Sequence, residues 1–256
     1  MPVVPLGHQY ATLRAALRRG LNSWGLRLVA CRSAEQLVAL MDRELVDAIV
    51  IQQRRDSLET ALALAARYPR IPVFVCGTFR PADGALLSAC RRNGIRDILV
   101  DGVDDQAAAE LVARCSGSAV RRQTLRDAPR LLRLSEPLQV RAWDHVLARV
   151  DGRLSTADVA RSLNVTREHL SREFAAGGAP NLKRVIDLAR VLCAADLLQN
   201  PGYNVAAAAR VLGYSSPSHL AGCVRRIADA RPGELPRLGL RGVFGRLLRG
   251  RTRSRI

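Results

Sequence analysis

Residues 155–174 and 204–226 each read as helix, tight turn, helix, and a continuous helical pattern over 182–199 joins them. Two such units on one rigid helix confine this half of the chain to an all-α packing. In the first, Ala157, Val159, Ala160 and Leu163 form an apolar face at helical spacing. Asn164 suits the turn, and Thr166 is a natural N-cap for a helix that carries Leu170 and Phe174 inward. Arg167, Glu168, Ser171 and Arg172 then point outward. The second repeats the form with Val205, Ala208, Val211 and Leu212, followed by Gly213-Tyr214-Ser215-Ser216. A helix starts at Pro217, a first position where the missing N–H costs nothing.

The other half has a different rhythm. Short apolar runs at 2–5, 26–30, 48–52, 72–76 and 97–100 alternate with helical patterns at 10–19, 34–44, 57–68, 82–93 and 104–116. Five βα units of this length predict a doubly wound parallel five-stranded sheet. The expected fold class is therefore α/β plus all-α. Its expected parts are a domain at 1–118, a linker at 119–137, a helical domain at 138–237 and a basic tail at 238–256.

A chain of 256 residues accommodates two domains with separate cores. The net charge of +17 is unevenly placed: residues 1–120 hold 15 basic and 12 acidic side chains, and residues 121–256 hold 25 and 11. The excess lies with the paired helical units, which is what a phosphate polyanion requires, because each neutralised phosphate releases counterions. An anionic membrane surface would accept the same charge. Lys183 is the only lysine; a GC-rich genome and selection for bidentate arginine contacts both produce that bias.

Six cysteines, at 31, 76, 90, 115, 193 and 223, show no CxxC and no ligand spacing with the four histidines. Most lie in apolar runs and read as buried hydrophobes in a reducing compartment. No metal site and no cofactor are expected. The N-terminus lacks a basic segment followed by a long apolar run, and no uncharged stretch is long enough to span a bilayer. A cytoplasmic chain without stable membrane insertion is the expectation. No nucleophile and base pair or phosphate-cradling glycine loop suggests an enzyme.

The N-terminal order, with Asp47-Ala48-Ile49-Val50-Ile51-Gln52, Ile71-Pro72-Val73-Phe74-Val75-Cys76 and Asp97-Ile98-Leu99-Val100 as strands three to five, resembles the receiver domain of bacterial response regulators. The resemblance places Gln52 where a receiver has its phosphoacceptor aspartate. It places Gly77 at the Ser/Thr position, Asp101 at the lysine position, and Pro5-Leu6-Gly7 where the Mg²⁺-binding acidic pair belongs. Without a carboxylate at 52 no aspartyl phosphate forms there. The implied domain is a pseudo-receiver, serving dimerisation, protein docking or ligand sensing.

Residues 138–237 resemble the AraC/XylS family of bacterial transcription regulators. The landmarks are Leu163-Asn164-Val165-Thr166, Leu170-Ser171-Arg172 and Phe174; Arg190, Ala194, Leu197 and Leu198 on the connecting helix; Leu212-Gly213-Tyr214-Ser215-Ser216-Pro217-Ser218-His219-Leu220; and Pro232-Gly233-Glu234-Leu235. The resemblance implies that each unit is a helix-turn-helix whose second helix reads a major groove of double-stranded DNA. The implied base contacts are Glu168, Ser171 and Arg172 in the first, and Ser218, His219 and Gly222 in the second, with Arg225 and Arg226 at the backbone and Arg167 a further DNA-binding residue. Arg172 suits guanine O6 and N7, and Glu168 suits cytosine N4. A joining helix of 18 residues is about 27 Å long, near the spacing of successive major-groove faces.

The second unit departs from the family. Gly222 stands where many members carry a long polar side chain, and Val224 and Ala228 replace aromatic core residues. RNA polymerase and a second copy of the chain, bound through the N-terminal domain, are further expected partners. The alternative is an adaptor whose pseudo-receiver binds a partner and whose DNA reading is degraded. The linker, with Arg121, Arg122, Arg126, Arg130 and Arg133, reads as a solvated charge run in which Leu131-Leu132-Arg133-Leu134 can dock on either domain. The tail, with seven arginines from Arg237 onward, reads as a mobile terminus, an arm along DNA phosphates or a basic amphipathic helix.

Overall fold

In the computed structural model the described residues are 2–7, 11–53, 55–95, 97–150, 154–175 and 178–253. The expected helix start at Tyr10 and the last three residues of the tail lie outside them. The chain divides into one unit of Met1–Val120 with Asn200–Gly202 and another of Arg121–Gln199 with Tyr203–Ile256.

The first unit holds strands β1 (Val3–Gly7), β2 (Arg27–Ala30), β3 (Ile49–Gln52), β4 (Val73–Gly77) and β5 (Asp97–Val100). Between and after them run helices α1 (Ala11–Ser23), α2 (Ala34–Met41), α3 (Arg55–Arg67), α4 (Gly84–Arg92) and α5 (Ala108–Cys115). All strands pair in parallel in the order β2-β1-β3-β4-β5. This is the flavodoxin-like doubly wound order, so the parallel five-stranded sheet expected from the alternation is present. Period-two alternation sends Val4, Val50, Phe74, Cys76 and Leu99 to one face, where they join Leu13, Leu17 and Leu21 of α1 and Ala108, Val112 and Ala113 of α5. Val3, Ile49, Ile51, Val73 and Val75 are buried on the opposite face. Burial on both faces explains why these strands read as continuous apolar runs.

Two local devices tighten this unit. Gly20 lets α1 approach α5, since a Cβ there would stand 2.3 Å from the Ala109 Cβ. Buried Asp47 holds the chain leaving α5: its carboxylate accepts from the Ser118 amide at 2.9 Å and from the Ser118 hydroxyl, and its carbonyl accepts from the Gly117 amide at 3.0 Å.

The second unit is helical: α6 (Gly117–Thr124, entering from the first unit), α7 (Ala128–Leu131), α8 (Pro137–Ala148), α9 (Thr156–Ser162), α10 (Arg167–Ala175), α11 (Leu182–Leu197), α12 (Val205–Val211), α13 (Pro217–Ala228) and α14 (Leu235–Arg253). Helix α11 is its axis, buried almost all round and packed against α8, α12, α13 and α14. Its inward residues Val185, Ile186, Leu188, Ala189, Leu192 and Leu197 are the ones the apolar periodicity selects. Its 16 residues give about 24 Å, somewhat shorter than the pattern suggested.

Four expectations are corrected. The segment 119–137 carries most of α6, all of α7 and the start of α8, joined by short turns, rather than a solvated linker. Leu125, Ala128, Leu132 and Leu134 are buried, and Pro129 and Pro137 stand in first helical turns, where a missing N–H breaks nothing. Arg121, expected among the solvated charges, is buried and pairs with Asp196 of α11 at 3.2 Å. The tail is no loose terminus through its described part. Residues 235–253 form α14, kinked at Gly239 (φ 57°), with Leu240, Val243, Phe244 and Leu247 buried. Their spacing of three and four residues supplies an apolar stripe that α11 and α13 cover. Ala157, expected inward on α9, is exposed, and Val159 and Ala160 carry the contact instead. No helix among the described residues is long and apolar enough to cross a membrane.

Candidate nucleic-acid interface

The first helix-turn-helix comprises α9 and α10. Ser155 caps α9 in a reciprocal box: its hydroxyl accepts from the Asp158 amide at 3.2 Å, and the Asp158 carboxylate accepts from the Ser155 amide at 3.0 Å. The hydroxyl of Ser155 also holds the Asp158 carboxyl below its usual range. Asn164 turns the chain in the left-handed region (φ 55°), and the Val165 amide closes the turn on the Ala160 carbonyl at 3.1 Å. Thr166 then caps α10, its hydroxyl accepting from the His169 amide at 3.1 Å. Leu170 and Phe174 are buried; Arg167, Glu168, His169, Ser171 and Arg172 are exposed. Glu168, Ser171 and Arg172, at spacings of three and four, share one outward face.

The second repeats this frame. Asn204 caps α12 by accepting from the Ala207 amide at 2.8 Å. Gly213 (φ 65°) stands where Asn164 does, and the Tyr214 amide reaches the Ala209 carbonyl at 2.8 Å as Val165 reaches Ala160. Ser216 caps α13, accepting from the His219 amide at 3.1 Å, with Pro217 in the first turn. Ser218, His219, Arg225 and Arg226 are exposed, and Gly222 is half-buried. The His219 Nδ1 lies 3.0 Å from the Ser215 hydroxyl, and the imidazole meets the Tyr214 ring edge-on at 5.3 Å. Both contacts restrain the ring of this exposed residue. Arg226 leans toward Asp187 of α11 at 3.7 Å, which draws its charge partly away from solvent.

Three positioning side chains escaped the reading of the sequence. Gln139 of α8 is buried and donates to the Glu173 carbonyl in the last turn of α10 at 2.7 Å. Arg190 of α11, recognised only as a family landmark, is buried against Tyr214 and donates to the Leu212 carbonyl at the end of α12. Arg246 of α14 donates to the Asp229 carbonyl beyond α13 at 2.9 Å. The signal common to the first two is a long polar residue at an inward position of an apolar helix face. Burial raises the Tyr214 hydroxyl and the Cys223 thiol of the same packing layer, keeping both neutral.

In the first unit, Gln52 ends β3, Gly77 ends β4 and Asp101 follows β5, so three of the four positions of the receiver resemblance meet at one sheet edge. The Asp101 amide donates to the Gly77 carbonyl at 3.0 Å. Space above Gly77 is filled, because a Cβ there would stand 2.6 Å from the Gln53 Oε1. The Gln53 side chain also hydrogen-bonds the Asp83 carboxyl, which accepts from the Arg80 amide at 2.8 Å. The Cys76 thiol, pushed up to about 12 mainly by burial and then by Asp101, is no nucleophile at neutral pH.

Residues 159–237 match the family described as helix-turn-helix domain, which is AraC-type. No curated protein matches the chain. Among solved structures, it is similar to a response regulator from Thermotoga maritima, at 16% identity over 45% of this chain and 97% of that one (TM-score 0.39). It is also similar to FixJ from B. japonicum, at 15% identity over 73% and 94% (TM-score 0.37), and to NtrX from Brucella abortus, at 15% identity over 64% and 41% (TM-score 0.40). The receiver-like character of the first unit stands on its strand order and parallel connections.

Proposed function

With residues 159–237 an AraC-type helix-turn-helix domain, we propose that the chain is a transcription regulator that reads a specific sequence in double-stranded DNA. The carrying observation is that α10 and α13 are set by the same caps and turn geometry and both present polar outer faces. Two equivalent frames suit two major-groove segments. On α10, Arg172 takes guanine, Glu168 takes cytosine and Ser171 adds a base-edge contact, with Arg167 at a phosphate. On α13, Ser218 and His219 face the bases, Arg225 and Arg226 face the backbone, and Gly222 marks a position of close approach without its own contact.

The first unit is a receiver-like partner domain that carries no aspartyl phosphate at Gln52, whose amide lacks the required carboxylate. It joins two copies of the chain, and the DNA-bound dimer contacts RNA polymerase. Selection of binding sites from a random duplex pool by the full-length chain, followed by sequencing, tests the DNA reading. A two-part motif supports it. Retention of the pool without enrichment of any sequence overturns it in favour of an adaptor. Incubation with a small phosphodonor such as acetyl phosphate leaves the mass unchanged if Gln52 abolishes phosphorylation.

A further inference from the structure

The carboxyl end of α13 is held by a residue outside the matched domain. The last carbonyls of a helix have no partner within it. Here the chain leaves α13 through Asp229 in the left-handed region (φ 46°), its amide donating to the Arg225 carbonyl at 3.0 Å. The Ala228 and Asp229 carbonyls both accept from Nη1 of Arg246, at 3.5 and 2.9 Å. Nη2 of the same guanidinium lies 3.9 Å from the Glu234 carboxylate. Arg246 therefore places positive charge at the negative end of the α13 dipole, where one guanidinium nitrogen meets both orphan acceptors, closely at Asp229 and at longer range at Ala228.

Arg246 is itself held in place. Val243, Phe244 and Leu247, around it on α14, are buried, and α14 packs on both α11 and α13. The need for a clamp follows from the composition of α13. Gly222 lies inside the helix, with only the Arg226 guanidinium within 4 Å of where its Cβ would be, and the buried Val224 and Ala228 are small. Such a helix has weak internal propensity and a shallow core face.

We propose that Arg246 is a positioning residue for the second recognition helix, setting the seat of α13 so that Ser218 and His219 meet the bases. The inference rests on the reading of α13 as a groove-reading helix. It makes α14 part of the second reading head and not a separate phosphate arm.

The test compares full-length wild type with Arg246→Ala, Arg246→Lys and Arg241→Ala. Arg241 is an exposed arginine of the same helix, so its variant controls for lost charge. Affinity is measured for the selected duplex and for versions with either half scrambled. Arg246→Ala is expected to lose about tenfold on the intact duplex and nothing on the duplex whose second half is scrambled. Arg246→Lys recovers part of that loss, and Arg241→Ala shows no half-site dependence. An equal loss by Arg246→Ala on all three duplexes, or no loss on any, overturns the proposal. Amide hydrogen exchange of the free protein supplies a readout independent of DNA. In Arg246→Ala the amides of residues 225–229 exchange faster while those of α10 keep their protection; unchanged exchange at 225–229 overturns the clamp even if DNA is bound. A wild type that selects no site overturns the groove reading, and with it the role of the clamp, while leaving the exchange result to stand separately.

Discussion

The guanidinium of Arg190 lies 3.9 Å from the centroid of the Tyr214 ring and donates from Nη2 to the Leu212 carbonyl at 2.7 Å. One buried side chain of the central helix thus grips both the end of α12 and the turn into α13. Arg190→Met keeps an unbranched buried stem but removes the stack and the charged hydrogen bond, and is expected to cost about 3 kcal/mol. Arg190→Lys does not restore it, because an ammonium lacks the planar fork. The Trp24→Phe background leaves buried Trp143 of α8 as the single tryptophan reporter of the helical unit. Urea unfolding followed by its fluorescence gives the cost; a loss below about 1 kcal/mol would remove Arg190 from this role.

Arg172 is exposed on the outward face of α10. Arg172→Ala is expected to weaken the selected duplex by about 1–3 kcal/mol and to relax preference at one or two base pairs. Competition against single-base variants of the site reads this directly. A uniform loss across all variants, with a shallower salt dependence, would assign Arg172 to a phosphate instead.

Gly222 faces open space toward the Arg226 guanidinium, 3.7 Å from where a Cβ would stand. Gly222→Ala therefore adds helix propensity without a clash and should stabilise the helical unit by up to about 1 kcal/mol. Thermal unfolding checks it, and a destabilised variant would reveal a close approach that the geometry lacks.

Gly20 behaves oppositely although it also lies inside a helix. A Cβ there would stand 2.3 Å from the Ala109 Cβ, so α1 and α5 must separate. Gly20→Ala should destabilise the first unit by about 1–3 kcal/mol despite its better propensity. Unfolding in urea distinguishes this from the small gain that propensity alone predicts.

Burial, with the Arg149 charge second, holds the His145 imidazole of α8 below its ordinary value of 6.5. As the pH falls through that ordinary value, the unfolded chain binds a proton that the folded chain refuses, so stability declines toward the lowered folded value and is unaffected by His145 well above 6.5. Urea midpoints taken between about pH 7.5 and 6 should fall for the wild type and hold more nearly level for His145→Gln. Parallel midpoints for the two proteins would show that His145 is not the titrating group.

Much of the candidate interface was legible because its signals are local. The cap Thr166, the turn residue Asn164, the Gly213-Tyr214-Ser215-Ser216 turn and the helix start at Pro217 are identified by chemistry within a few neighbours; the Ser155 cap is equally local but was not read from the sequence. The positioning residues were illegible for the opposite reason. Gln139, Arg190 and Arg246 each find an acceptor on another element, 34, 22 and 17 residues distant.

The same distinction separates the two readings of the fold. Apolar periodicity, with local cap and turn residues, determined the parallel βα unit and the paired helix-turn-helix with its long joining helix, because both are properties of neighbouring residues. Only tertiary structure decided that residues 119–137 form packed helices α6 and α7 with their connecting turns, that Arg121 is buried against Asp196 and that the arginine-rich end is the core helix α14. Charge runs read as solvated until another element covers the stripe beneath them. For Arg121 that cover includes α11; for α14 it is α11 and α13, surfaces that exist only once the chain is folded.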